Sequence, residues 1–378
     1  MERKFNFRGG RKLFAFRWRG QRSVAVCRKC GIAVCLVSLF LIMQFAGLSA
    51  AETLPGNGQE KVRMAVEFMD HAAAAFVARE KGWFAEAGLD VTAYESYATG
   101  MALAAALARG DIDAAYICLV PAVNSRFNAG VPVKIVAGTH KHGYGVVVNK
   151  KKIKTARDLE RPDIRVGCIR QGGAVDVMLN KAVYVFHLDR EAVLPKIRRM
   201  PPEKQLLALQ TGQLDAVVLP EQWVTMAEEM GFGMLFTSRD VWPNMQGSVL
   251  VVKESLIDKR PGVVRQLIAV LEQSTDWMNS HPREAAEIVA LQLQTIGGGD
   301  GPDLGAGTRT AITPEIILRS MARMDFTTAI DPEQVQRTID FMAHLGYLRN
   351  PVSASEILDP RFIKGHGGFK ESREQAGR

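Results

Sequence analysis

Cysteine is scarce in this sequence beyond its first 35 residues. Of five cysteines in 378 residues, Cys27, Cys30 and Cys35 stand near the start. Only Cys118 and Cys168 remain, too few for a disulfide-dense scaffold. Cys27-Arg28-Lys29-Cys30 has metal-like spacing, but it falls in a leader expected to be discarded. Cys118 and Cys168 end or follow strands in different halves of the chain, so two free, mostly buried thiols are expected. No Ser-His-Asp ordering, no His-Glu-x-x-His and no Gly-Lys-Ser/Thr phosphate loop occurs. The sequence therefore offers no catalytic centre, no cofactor and no metal site. The Gly-rich stretch from Gly297 to Gly307 has no strand before it and reads as a surface loop. Excess charge is also missing from most of the chain. Beyond position 50, 38 Lys or Arg face 39 Asp or Glu. The formal net charge of +8 comes from the first fifty residues, which hold ten basic residues and one acid, Glu2. No electrostatic footprint for nucleic acid is left.

What is present begins with that leader. Arg28 and Lys29 close a basic region, an apolar core runs from Gly31 to about Leu48, and Ser49-Ala50-Ala51 offers a cleavage site. Residues 1–51 read as a signal peptide, and the basic region is long enough that the true start could lie downstream of Met1. The competing reading is an uncleaved anchor, because an apolar stretch of this length can just span a bilayer. No cysteine follows the apolar core, which argues against lipid anchoring.

A repeat organises the remainder. Ala106-Leu107-Ala108-Arg109-Gly110-Asp111-Ile112-Asp113-Ala114-Ala115-Tyr116 returns as Ala208-Leu209-Gln210-Thr211-Gly212-Gln213-Leu214-Asp215-Ala216-Val217-Val218. Each copy reads as a helix end, a Gly stop that reaches the left-handed conformation without a Cβ clash, and a buried strand. Two such units about a hundred residues apart suggest two similar α/β lobes. Around them, strands are expected at 62–66, near Tyr94, at 131–137, 163–167 and 249–252. Helices are expected at 72–81, after Thr99-Gly100, at 120–128 and 203–211, and from Glu221. The C-terminal part is expected to be helical at about 261–280, 282–294, 314–324 and 332–344. Alternating strands and helices give βαβ units and mostly parallel sheets. Asp111, Asp113 and Asp215 are read as helix-to-strand structure rather than as site residues.

Lys81-Gly82-Trp83-Phe84-Ala85-Glu86-Ala87-Gly88-Leu89-Asp90-Val91 is similar to a stretch shared by periplasmic solute-binding proteins of the nitrate/sulfonate/taurine and thiamine-pyrimidine-precursor (NMT1-like) group. The Gly-Asp-Ile-Asp-Ala segment with Thr99-Gly100 about ten residues before it, Lys154-Thr155-Ala156-Arg157-Asp158-Leu159, and Asp340-Phe341-Met342-Ala343-His344-Leu345-Gly346-Tyr347 also resemble that group, over residues 60–360 in all. The resemblance implies a bilobal periplasmic-binding-protein type II fold, with two doubly wound, mostly parallel-sheet lobes, two crossovers and a helical C-terminal region. Lobe one would comprise 60–143 and 246–378, and lobe two 144–245. It further implies an exported, monomeric receptor in the periplasm. Such a receptor holds a small ligand between its lobes and serves an ABC importer, a membrane permease with its cytoplasmic ATPase. It catalyses nothing.

Ligands of open α/β sheets sit outside the carboxyl ends of the strands. That rule selects Phe68, Asp70 and His71 after the first strand, and Cys118 and the pair Glu221 and Trp223 after the two repeat strands. It also selects two helix openings whose free N–H groups suit an anion, Thr99-Gly100 and Gln171-Gly172-Gly173. His140, Tyr144 and Gln246 lie near the crossovers. Plainer readings stand beside these: Asp70 as a helix cap, Trp223 as core, His71 and His140 as lone histidines, Gly172-Gly173 as a turn. Trp223 and Asp70 are expected to face one another across the cleft. Neither helix opening contains Lys or Arg, although Arg170 sits just before the second. A taurine-like zwitterion or an amino-pyrimidine therefore suits these residues better than nitrate or sulfate, and a sulfonate remains in the class. Two other functions compete. One is a pyrimidine-precursor synthase-like enzyme on the same fold, which would carry clustered cysteines that this chain lacks. The other is a membrane-tethered ligand-sensing domain, which would need the leader to stay uncleaved.

Overall fold

The computed structural model describes residues 59–92, 94–296, 312–349 and 352–363. The leader and the Gly-rich stretch at 297–307 lie outside these residues. The strands, in chain order, are β1 (Glu60–Lys61), β2 (Met64–Glu67), β3 (Leu89–Asp90), β4 (Tyr94–Tyr97), β5 (Ala114–Cys118), β6 (Val133–His142), β7 (Tyr144–Val148), β8 (Val166–Cys168), β9 (Arg198–Arg199), β10 (Ala216–Pro220), β11 (Gly233–Thr237), β12 (Gln246–Lys253) and β13 (Met324–Phe326). They form two main sheets, ordered β13-β6-β12-β5-β2-β4 and β11-β7-β10-β8-β9, and a parallel ribbon of β1 with β3.

Both sheets run mostly one way. In the first, β4, β2 and β5 are parallel, and β12 is inserted antiparallel between β5 and β6, so that β6 runs with the other three. In the second, β8, β9 and β10 are parallel and β7 lies antiparallel between β10 and β11. The inserted strands β7 and β12 are those that follow the two crossings between sheets. The chain leaves the first sheet at His142-Gly143 and returns through residues 238–245. Strands β5 and β10, the repeat strands, are buried at every position, as strands covered on both faces by helices must be. Helix Ala73–Glu80 packs against Pro261–Ser280 and Pro282–Ile296, so the C-terminal helices cover one face of the first sheet.

The repeat extends to side chains that the two copies place alike. Asp113 accepts from Arg63 Nε at 3.0 Å and Nη2 at 2.7 Å, and Asp215 accepts from Arg165 Nε at 2.8 Å and Nη2 at 3.0 Å. In each copy the same arginine also reaches the carbonyl of the helix-ending glycine, Gly110 or Gly212, and a lysine joins the aspartate, Lys253 or Lys152. The two aspartates thus lock helix end to strand start, the structural role expected of them. Asp215 is the more buried. Burial works to raise its carboxyl, but Arg165 and Lys152 outweigh that and hold it at about 2. Its folded value lies below the unfolded one of about 3.9. The stabilisation is therefore present above about pH 4 and is lost as the pH falls toward 2. Asp215→Asn is expected to cost about 1–2 kcal/mol at pH 7, since both cations remain partly solvated. That cost should shrink between pH 4 and 3. Urea titrations of both proteins at pH 7, 4 and 3 check this, and a cost independent of pH would assign it to packing.

Three details depart from expectation. The second strand does not end near Tyr94 but occupies Tyr94–Tyr97, because the chain first spends Leu89–Asp90 pairing with β1. The helix expected over 314–324 stops at Met321, and Met324–Phe326 instead adds a strand to the edge of the first sheet beside β6. Strand β11 falls in Gly233–Thr237, a stretch that carried no clear alternation. Among the described residues, no helix is long and apolar enough to cross a membrane.

Candidate functional site

The carboxyl ends of both sets of parallel strands meet at one narrow cavity, with about 30 Å3 of space for a water-sized molecule. Glu67, Met69, Thr99, Gly100, Met101, Cys118 and Pro121 line it from the side of the first sheet. Tyr144, Ile169, Arg170, Gly173, Ala174, Val175 and Pro220 line it from the second. Five of the residues expected at the site, Thr99, Gly100, Cys118, Tyr144 and Gly173, are therefore brought together.

Glu67 ends β2 with its carboxyl 1% exposed. One oxygen accepts the Cys118 backbone N–H at 3.0 Å and the other the Cys118 thiol at 2.8 Å. Burial pushes this carboxyl up to about 7. It lies against Gly100, where a Cβ would collide with its oxygen. The first helix opening is thus not the bare anion seat expected. Thr99 Oγ1 already accepts the Ala102 N–H, and the carboxylate stands beside Gly100. The second opening departs similarly. Asp176, one turn into helix Ala174–Val185, accepts the Gly172 N–H at 3.0 Å, and Arg199 and Tyr347 hold it there. A helix supplies its own anion when an acid in the first turn folds back on the orphan N–H groups. Gln171 and Gly172 do not line the cavity; Gly173 does.

His71 and His140 form a buried pair with ring centroids 4.4 Å apart, and Tyr144 meets His71 edge-on. His71 Nε2 lies 2.8 Å from the Gly143 carbonyl, so it carries the proton and donates. That leaves Nδ1 bare, 3.6 Å from Cys118 Sγ. Burial pushes His71 down to about 4 and His140 well below its usual value, so both rings are neutral. Burial likewise raises the Cys118 thiol well above its ordinary range. Neither His71 nor His140 lines the cavity, although Cys118 and Tyr144, which touch His71, do. Gln246 does not line it either, donating to the His140 and Ser248 carbonyls.

The pairing expected between Asp70 and Trp223 is not found. Trp223 is 3% exposed and packs in the core with Val217 and Leu219. Helix Glu221–Glu229 turns about 100° per residue, so the residue third along it points away from the cleft that Pro220 still borders. Asp70 neither caps the helix that follows it nor lines the cavity. Ser320, 250 residues away, donates to its carboxyl, and its own N–H donates to Gln222 Oε1 at 2.7 Å. Glu221 is paired with Arg323 at 2.7 Å. Phe68 is half-buried beside β2 and packs with the core. These residues join the two halves instead of facing a ligand. Asn124, from the helix after β5, makes another tie by donating to the Gly172 carbonyl at 3.0 Å.

Sequence reasoning missed Glu67, the most buried acid at the cavity. Its only trace is an acidic residue closing an otherwise apolar strand, Met64-Ala65-Val66-Glu67.

The NMT1-like family model matches residues 56–293, well over half of the chain. The nitrate import ATP-binding protein NrtC of Synechocystis is 23% identical over 261 residues, 64% of this chain and 39% of that protein. A putative binding protein of Brucella abortus is 24% identical over 225 residues, 58% of this chain and 66% of that protein. The chain spans about two fifths of the length of the curated relatives it matches first. Among solved structures, the alkanesulfonate-binding protein SsuA of Xanthomonas axonopodis bound to MOPS superposes with TM-score 0.65 at 15% identity, over 80% of this chain and 98% of that one. The periplasmic nitrate-binding protein NrtA of Synechocystis gives 0.64 at 15%, over 79% and 85%. These likenesses are of fold, and they are to the bilobal α/β fold that the sequence resemblance implied.

Proposed function

The chain belongs to the NMT1-like family, and from that we propose that it is a solute-binding receptor of an ABC importer rather than an enzyme. Its lobes are residues 60–143 with 246–378, and 144–245. It works outside the cytoplasmic membrane, after export by its leader. It captures a small polar molecule between the lobes and presents it to a permease. The observation that supports this most is the convergence of strand ends from both sheets on one cavity with polar groups on opposite walls. Relatives and structural neighbours that import or bind nitrate, bicarbonate and alkanesulfonates support the importer partnership.

The solute has two unlike ends. Glu67 on one wall already accepts from Cys118 through both oxygens, and suits a positive or hydrogen-donating group in front of it. Arg170 and the Gly173 end of the lobe-two helix suit an accepting or anionic group on the other. Tyr144 and Ile169 supply flat and apolar surface between them. A bare dianion would face the Glu67 carboxylate, whereas a zwitterion such as taurine or an amino-pyrimidine would not. The test is calorimetric titration with taurine, an alkanesulfonate, nitrate and an amino-pyrimidine. We expect saturable one-to-one binding of taurine or the amino-pyrimidine, and nitrate binding alone would overturn the assignment of Glu67 to the solute wall.

A further inference from the structure

Glu67 ends β2, Cys118 ends β5 beside it, and His71 sits one turn beyond β2. The sequence spacing of the three carries no metal signature, yet the fold brings a carboxylate oxygen, an imidazole nitrogen and a sulfur within 4.8 Å of one another. We propose that Glu67, His71 and Cys118 form a binding site for a zinc-like divalent cation in the floor of the cleft, with a fourth position open to the cavity. This deepens the solute-binding reading and rests on it only for the fourth ligand, water or a donor atom of the solute. The cation would take the place of the Cys118 proton beside Glu67.

Four observations carry the assignment. The donors are the mixed oxygen, nitrogen and sulfur set that zinc accepts and that magnesium and calcium do not. Zinc bonds of about 2.3 Å to sulfur and about 2.0–2.1 Å to nitrogen at a tetrahedral angle put those atoms about 3.5–3.6 Å apart, and His71 Nδ1 lies 3.6 Å from Cys118 Sγ. His71 donates its other nitrogen to the Gly143 carbonyl, which turns the bare Nδ1 toward the thiol, as metal-binding histidines are held. Finally, the three side chains are 1%, 2% and 4% exposed. A carboxylate and a thiolate cancel a dication's charge, so the loaded site puts no net charge into this dry place.

Loading is an exchange. The Cys118 S–H bond breaks, its proton leaves to solvent, and the sulfur's electron pair forms the bond to the cation; nothing is oxidised or reduced. The thiol and the Glu67 oxygen are 2.8 Å apart while they share a hydrogen bond. Two ligands on one zinc stand about 3.6 Å apart, so the carboxylate withdraws by about 0.8 Å as the proton goes. Glycine at position 100 leaves the carboxylate without a Cβ at its back.

The experiment uses the full chain with Cys27, Cys30 and Cys35 replaced by serine, so that Cys118 and Cys168 are the remaining thiols. The protein is stripped with a chelator and titrated with cobalt(II) as the spectroscopic probe, with no solute present. We expect one cobalt per chain, intense tetrahedral visible bands and a near-ultraviolet thiolate-to-cobalt charge-transfer band. Zinc should displace the cobalt. Cys118→Ser should abolish the charge-transfer band, and His71→Gln should weaken cobalt affinity at least about tenfold. Cys168→Ser should leave the spectrum intact, and this variant decides the matter even if Cys118→Ser fails to fold, since a single thiol then remains to supply the band. No charge-transfer band in the parent protein, or its loss in Cys168→Ser, would overturn the proposal. It would show that the three side chains form a closed thiol–carboxyl hydrogen-bond cluster. Because no solute is used, a failed cobalt titration beside a successful calorimetric one leaves the receptor reading standing.

Discussion

Gly143→Ala is expected to destabilise the protein by about 2–5 kcal/mol, a large effect for a single methyl group. Gly143 is the one residue between β6 and β7, where the chain first crosses between the sheets, and its φ is +91°. The residue before it, His142, is also at positive φ, +65°, so the turn has no slack to share. An L side chain at such φ costs about 1–2 kcal/mol. The added Cβ would lie 2.6 Å from His71 Nε2 and 3.0 Å from Met324 Sδ, and forced overpacking of a buried site costs about 1–3 kcal/mol more. The clash also strikes the imidazole that donates to this residue's own carbonyl, and that carbonyl further accepts the Glu221 N–H at 3.0 Å. Gly212→Ala is the control. Its φ is +68°, but nothing lies within 4 Å of the added Cβ, so it should show the dihedral cost alone, about 1–2 kcal/mol. Denaturant unfolding of both variants separates the two contributions. Equal losses would mean that the histidine pair moves aside freely.

Arg170→Ala should weaken binding of an anionic or zwitterionic solute by about 30- to 150-fold, equivalent to about 2–3 kcal/mol. Arg170 is the sole cation that lines the cavity among the described residues. The lobe-two helix opening beside it is already partly answered by Asp176, which raises the share of attraction left to the arginine. Its side chain is exposed at the cleft mouth, so stability should change by less than about 0.5 kcal/mol. Arg170→Lys should recover only part of the loss, because a compact ammonium lacks the planar fork that grips a carboxylate or sulfonate in two bonds. Calorimetry with the solute that binds the parent protein checks this. Undiminished affinity in Arg170→Ala would place the solute's anionic end elsewhere.

The fold was legible in the sequence because it is carried by local signals repeated in order. The glycine stops at Gly110 and Gly212, the buried runs after Asp113 and Asp215, and prolines opening the helices at Pro202, Pro261, Pro282, Pro314 and Pro332 each act within a few residues. The site was legible only in part, because it is made by partners far apart in the chain. Asp70 looked like a cap or a ligand, and neither reading could foresee Ser320. Trp223 was a candidate by its place after a strand, but the helical turn rotates it into the core. Glu67 went unread because a strand's last residue looks the same whether it faces solvent or a closed cavity. The decisive fact about it, that Cys118 supplies both an N–H and a thiol, lies 51 residues on.

The ties between the halves have a kinetic meaning. Asn124 reaches Gly172, and the Asp70 N–H reaches Gln222, two bonds that any parting of these walls has to break. If the cavity opens only by breaking such ties, a solute enters only during those openings. The rate of capture then stops rising once solute is plentiful and levels off at the rate at which the ties break. The measured dissociation constant exceeds the intrinsic one by the inverse of the open fraction. Asparagine at position 124 would thus set how quickly a solute enters, without lining the cavity itself.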